Sequence, residues 1–271
     1  MNPRMREEDY EIYYRTRYYG EYQPKPSTGR KKIIEDPRGT KICNDILPYI
    51  ERLSKVLEIG SATGENLITL GNRGFSNLTG LDPSLDCCLM GRSYGINCIN
   101  STLLSYALDP NNHGAFDLII LSHMLEHFVE PDVSMKLIRN LLRENGLLYI
   151  LVPHLYGYIG QDSREQFTLP HTFYYSINTL ETLLSNNGFV LEQRFLSNED
   201  EIAVLVRKSM GTGIPRMVKN EYERAIKYLK MDRRYVIGHA WRARRTVLIN
   251  LLKTVLPMRA YELVQTFYRK M

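Results

Sequence analysis

The 271 residues suffice for one large domain with additions or for two small ones, and a composition of 44% hydrophobic and 24% charged residues excludes a chain disordered throughout. Four cysteines, Cys43, Cys87, Cys88 and Cys98, offer no C-x-x-C spacing; this excludes a zinc ribbon or a disulfide framework and leaves buried thiols in a reducing cytosol as the expectation. The net charge of +5 is uneven: residues 210 to 271 hold 14 Lys and Arg against 4 Asp and Glu, a balance of +10 that leaves −5 for residues 1 to 209. Met1 to Tyr10 mixes both charge signs without an apolar core, so no secretory signal is expected, and no run reaches membrane-spanning length. Residues 1–40 form a tyrosine-rich extension in which Tyr10, Tyr14, Tyr18 and Tyr22 keep a four-residue spacing that fits one helix face. Ile42 to Leu53 is an amphipathic stretch, interrupted at Pro48.

Lys55 to Ile59 is then a short apolar run containing Glu58, and Gly60-Ser61-Ala62-Thr63-Gly64 breaks it before a helix over Glu65 to Asn72. A strand, a glycine turn and a helix N-terminus let backbone approach a ligand closely and present amides to a polar group. Asn77 to Asp82 reads as a second strand whose terminal carboxylate is placed for the hydroxyls of a ribose. Ser84 caps the next helix, Leu85 to Ser93, and Gly95 to Ile99 is a third strand followed by Asn100 and Ser101. Two glycines four residues apart do not make the G-x-G-x-x-G of a dinucleotide fold. Instead, Glu58-x-Gly60-x-x-x-Gly64 followed by Asp82 resembles the first two motifs of class I S-adenosylmethionine-dependent methyltransferases.

Further motifs extend the resemblance. Ala115 to Leu121 is a near-continuous apolar run, the mark of a central strand covered on both faces. It leads into Ser122-His123-Met124-Leu125-Glu126-His127, and Asp132 to Leu142 follows as an amphipathic helix ended by Asn145-Gly146. Leu147 to Pro153 is a fifth strand, Asn178 to Asn187 a helix capped by Ser176 or Asn178, and Gly188 to Val190 with Ile202 to Arg207 an antiparallel edge pair. The string from Phe116 to His127, with Leu141-Leu142-x-x-Asn145-Gly146-Leu147-Leu148 and Val152-Pro153, is similar to the ubiquinone-biosynthesis-like and sugar-modifying branch of small-molecule methyltransferases.

The resemblance implies an α/β fold, a doubly wound, mostly parallel seven-stranded Rossmann-like sheet over residues 41–208, with residues 209–271 as a basic helical tail. It implies S-adenosyl-L-methionine as cofactor, held by Glu58, Gly60, Ser61, Gly64 and Asp82, with Asn100, Ser101 and Ser122 as further contacts. It implies an acceptor that is a small molecule or sugar, a lid near the N-terminus, and Tyr14, Tyr18, His154 and Tyr158 on the acceptor side. If the acceptor is a hydroxyl a base is required; His127 is the first candidate and His171 the second. For any single histidine a structural role competes with catalysis. His-x-x-Glu-His is the order of one zinc-protease pattern, but its place after a buried strand argues against it, and no metal is expected.

Trp241 to Arg245 precedes an apolar stretch from Val247 to Leu256, which suits either packing, including self-association, or an interfacial helix on anionic lipid. The expected location is cytoplasmic, with peripheral contact at the inner face of the membrane under the second reading. No nucleic acid partner is expected, because no RNA-binding module is recognised. A non-catalytic cofactor-binding scaffold and a nicotinamide oxidoreductase stay open as alternatives.

Overall fold

The computed structural model describes residues 7–16, 36–157, 170–195, 200–209, 220–228 and 230. The chain divides into two compact units, residues 1–157 with 168–221 and residues 158–167 with 222–271. In the second unit the described residues are helical. Among the described residues no helix is long and apolar enough to cross a membrane.

The first unit opens with α1 (Glu7–Thr16) and α2 (Pro37–Ile46). The amphipathic stretch expected over residues 42–53 is instead the second half of α2, which starts earlier. The Asp36 side chain caps it by accepting from Gly39 N at 2.9 Å, and Pro37 occupies the first turn, where its missing N–H is harmless. The helix stops short of Pro48, with Leu47 as its C-cap. Gly39, Ile42, Cys43 and Ile46 form its buried face.

The remainder alternates strand and helix: β1 (Lys55–Ile59), α3 (Glu65–Asn72), β2 (Asn77–Asp82), α4 (Leu85–Ser93), β3 (Asn97–Asn100), α5 (Leu103–Ala107), β4 (Phe116–Ser122), α6 (Pro131–Leu141), β5 (Leu142–Pro153), α7 (Ile177–Asn186), β6 (Phe189–Phe195) and β7 (Glu201–Lys208). The seven strands form one sheet in the order β3-β2-β1-β4-β5-β7-β6. Strands β1 to β5 pair in parallel, while β7 runs antiparallel to β5 and to β6. β5 begins at Leu142, five residues before the expected Leu147. The chain passes from α6 directly into ladder pairing, and Asn145 takes a left-handed φ of 61° beside a register shift opposite Phe116 and Leu118.

The pleat sorts β4 between two cores. Ile119 and Leu121 pack with Leu57, Ile59, Ile138, Leu141 and Leu180 on one face, whereas Leu118 and Ile120 pack with Ile42, Ile46, Leu67 and Leu70 on the other. Burial on both faces is why β4 runs without a polar residue from Leu118 to Leu121. Chain order reverses at β1, which pairs with β2 on one side and β4 on the other. The crevice at the carboxyl ends of those strands is therefore the ligand position of such a sheet.

Candidate active site

The turn after β1 is built from left-handed backbone. Gly60, Ala62 and Gly64 have φ of 72°, 48° and 84°. Gly60 N and Ser61 N both donate to Leu81 O, at 2.8 and 3.2 Å, which straps the turn to β2. At Gly60 a Cβ would lie 2.6 Å from the Met124 sulfur, so both the conformation and the close approach favour glycine there. Gly64 serves as the N-cap of α3. Asp82 is 1% exposed; its Oδ2 accepts from Ala62 N at 2.9 Å and its Oδ1 from Ser84 N at 2.8 Å. A carboxylate oxygen can accept more than one hydrogen bond, so the acid can hold the turn and also accept from a ribose.

A cavity of about 360 Å³ lies over this turn, lined by Arg38, Glu58, Gly60, Ser61, Asp82, Ser122, His123 and His127 among others. Glu58 is buried; its Oε1 accepts from Asn66 Nδ2 at 2.7 Å, and its Oε2 has no hydrogen-bond partner among the described residues. Burial pushes its pKa up to about 8, against the opposing bond from Asn66. The Ser122 hydroxyl is likewise buried without a partner among the described residues. Among the described residues Arg38 is the one Lys or Arg in the lining, and it comes from the segment read as extension. An orphaned carboxylate beside a cation suits the ammonium and carboxylate of a methionine moiety, so these residues fit the cofactor.

A second, mainly apolar cavity of about 200 Å³ shares Gly60, Pro83, Met124 and His127 with the first. Tyr10, Leu81, Ser101, Leu103 and Val133 also line it, and its apolar walls suit a purine. Asn100 is exposed and lines neither cavity; its side chain donates to Asp82 O at 3.1 Å. Its part is to brace the β2 end.

The polar residues after β4 form a connected set. The His127 Nδ1 stands 3.1 Å from Pro170 O. A carbonyl only accepts, so Nδ1 carries the proton and Nε2 is the basic nitrogen. Nε2 lies 3.9 Å from Glu126 Oε1. Burial lowers the His127 pKa, with Glu126 opposing, so the imidazole is neutral at pH 7. For Glu126 burial acts upward, but the neighbouring His123 and His127 rings outweigh it and hold the carboxyl below the usual range.

His171 packs edge-on against His127 with ring centroids 4.8 Å apart. It lines neither cavity, so its link to the crevice runs through His127. His154 also lies outside both linings; its N–H donates to Asp200 O at 2.8 Å and its ring packs on Tyr156. Tyr14 lies in α1, with its side chain outside the described residues, as are Tyr18 and Tyr158. Tyr10, one turn before Tyr14, is the tyrosine of that row seen in a cavity wall. Ligand atoms of Glu126, His127 and His171 lie within 4.8 Å of one another. That set is looser than the roughly 3.4 Å between ligand atoms on a zinc shell.

A parallel sheet with an antiparallel seventh strand, and a glycine turn beside a buried aspartate at the switch point, are the marks of a class I S-adenosylmethionine-dependent methyltransferase. Residues 33–194 match the model of the family described as methyltransferase domain, and the chain belongs to that family. No curated protein matches the sequence. Among solved structures, a methyltransferase from Archaeoglobus fulgidus is 17% identical, covering 62% of this chain and 92% of its own, with a TM-score of 0.50. A methyltransferase from Thermotoga maritima is 14% identical, covering 64% and 89%, with a TM-score of 0.51. The YcgJ protein from Bacillus subtilis is 11% identical, covering 65% and 100%, with a TM-score of 0.52. At these identities the likeness is one of fold. S-adenosylmethionine is the cofactor, which sets aside the nicotinamide alternative.

Proposed function

We propose that the protein transfers the methyl group of S-adenosylmethionine to a hydroxyl of a small molecule, with a sugar in glycan biosynthesis as the favoured acceptor class. The supporting observation is His127: a neutral imidazole in the wall shared by the two cavities, with Nδ1 engaged by Pro170 O and Nε2 left basic. The sulfonium already activates the methyl carbon, so the protein has to bring the acceptor to attack distance and accept its proton. A hydroxyl needs that base, since it is a poor nucleophile while protonated. The buried Glu126 carboxylate beside His127 favours the imidazolium formed when the proton arrives.

The test is transfer of labelled methyl from S-adenosylmethionine to a panel of free and nucleotide-linked sugars, with matched amines and phenols. We expect a hydroxyl product and a fall of roughly 10²–10⁴-fold in turnover for His127→Ala. Methylation of amines alone, or full turnover by His127→Ala at saturating acceptor, would overturn the reading.

A further inference from the structure

Glu126 is 1% exposed, and neither carboxylate oxygen has a hydrogen-bond partner among the described residues. A carboxylate so placed stays ionised only with a cation beside it. His123 occupies that place, with Nδ1 3.5 Å from Glu126 Oε1 and Nε2 2.8 Å from Glu201 Oε1 on β7. Burial disfavours a charged imidazole here, yet the two glutamates outweigh it and the pKa is raised. The backbone adds an independent sign. His123 has a φ of 52°, a left-handed conformation uncommon for residues other than glycine although histidine takes it more readily than most, and its N–H is fixed to Leu151 O at 2.8 Å. The fold thus sustains an unfavourable backbone in aiming this ring between the two carboxylates.

We propose that His123 is a positioning residue for methyl transfer: bridging Glu126 and Glu201, it fixes the Glu126 carboxylate against His127. The inference rests on the reading of His127 as the base. In the transfer step the acceptor O–H bond breaks and its proton goes to His127 Nε2. The oxygen forms a bond to the methyl carbon as the carbon–sulfur bond breaks, and that electron pair returns to sulfur to give S-adenosylhomocysteine. The imidazolium then stands 3.9 Å from Glu126 Oε1. An ionised Glu126 stabilises it through its charge. With His123 removed, burial drives Glu126 to take up a proton, and the stabilisation goes. The titratable and charged groups facing His123 are Glu126 and His127 from the turn after β4, Glu201 from β7 and Arg38 from α2. Lys41 of α2 acts on Glu201.

The experiment is an NMR titration of the full chain saturated with S-adenosylhomocysteine and carrying ¹³C-labelled glutamate and histidine, which needs no acceptor. In the wild type the Glu126 carboxyl carbon titrates below the ordinary carboxylate range. In His123→Gln it moves above that range, and His123→Lys, which restores a cation, brings it back. The His127 midpoint moves to lower pH in His123→Gln, because attraction from Glu126 exceeds the direct repulsion from His123. A Glu126 titration unchanged by His123→Gln overturns the proposal. Should that variant fail to bind S-adenosylhomocysteine, Glu201→Gln replaces it: a smaller upward shift at Glu126 is expected, and none overturns the proposal. Failure of the base reading looks different, with the Glu126 shift present while His127→Ala keeps full turnover.

Discussion

The side of the crevice read as holding the cofactor and the side proposed for the acceptor are built by different means. On the cofactor side the connections are short: Asp82 reaches Ala62 and Ser84, Glu58 reaches Asn66, and Ser84 caps α4 through Cys87 N. On the acceptor side they are long. His127 is held by Pro170, 43 residues away, and His123 by Glu201, 78 residues away. A strand, turn and helix can assemble the first set locally, whereas the second exists only once the sheet has closed through β7. Damage to one half should therefore leave the other largely intact.

The largest effect on the cofactor half is expected from Asp82→Ala. The change leaves the Ala62 and Ser84 amides without their acceptor and removes the ribose contact. A loss of about 3 kcal/mol for hydrogen bonds to a charged group corresponds to roughly a hundredfold weaker binding. Calorimetric titration with S-adenosylhomocysteine measures it, and a dissociation constant within threefold of wild type would remove Asp82 from the site. The NMR titration midpoint of His127 should stay in place, because the Asp82 carboxylate bonds to Ala62 and Ser84 on the cofactor side.

Glu58 gives a smaller, pH-dependent effect. In the free protein its pKa lies near 8 rather than 4.5. The folded state thus holds a proton that the unfolded state has lost, and this contribution to stability declines as pH rises from about 4.5 to about 8. The cofactor's cationic end favours the carboxylate, so binding should release a proton and tighten as pH rises from 6 toward 8. Glu58→Gln should flatten that dependence and make the unliganded protein more stable at pH 8 than the wild type. A wild-type affinity independent of pH across this window would separate Glu58 from the cofactor's charge.

This division also explains what could be read from the chain. The doubly wound sheet and the pair Glu58 and Asp82 follow from local signals: apolar runs, glycine turns and caps within about twenty residues of one another. Arg38 gave no such signal, because its place in the cavity depends on α2 beginning at Pro37. The four-residue spacing of the tyrosines could not say which turn meets the cavity; Tyr10 does so, while the Tyr14 side chain, Tyr18 and Tyr22 lie outside the described residues. His154 follows a strand end, as a site residue would, yet a bridge to Tyr175 and the bond to Asp200 hold its backbone at the β7 side. Periodicity assigns faces; it does not reveal which distant loop returns to cover them.

Thr172→Val puts that separation to its most discriminating test with the mildest change. The Thr172 hydroxyl lies 2.7 Å from Phe128 O and 3.0 Å from Glu126 O, and its backbone N–H donates to Glu126 O at 2.8 Å. It clasps the segment after Pro170 onto the turn that carries His127. Valine keeps the shape and the backbone bond but leaves a buried carbonyl short of one donor, at a cost of about 1 kcal/mol in stability. S-adenosylhomocysteine affinity should remain within twofold, since no cofactor contact depends on this clasp, while the His127 ring loses its fixed approach to Pro170 O and its NMR titration midpoint shifts. Equal losses in cofactor affinity and in the His127 signal would mean that the two halves fold as one coupled unit, and the contrast between short and long connections would then describe sequence distance without functional independence.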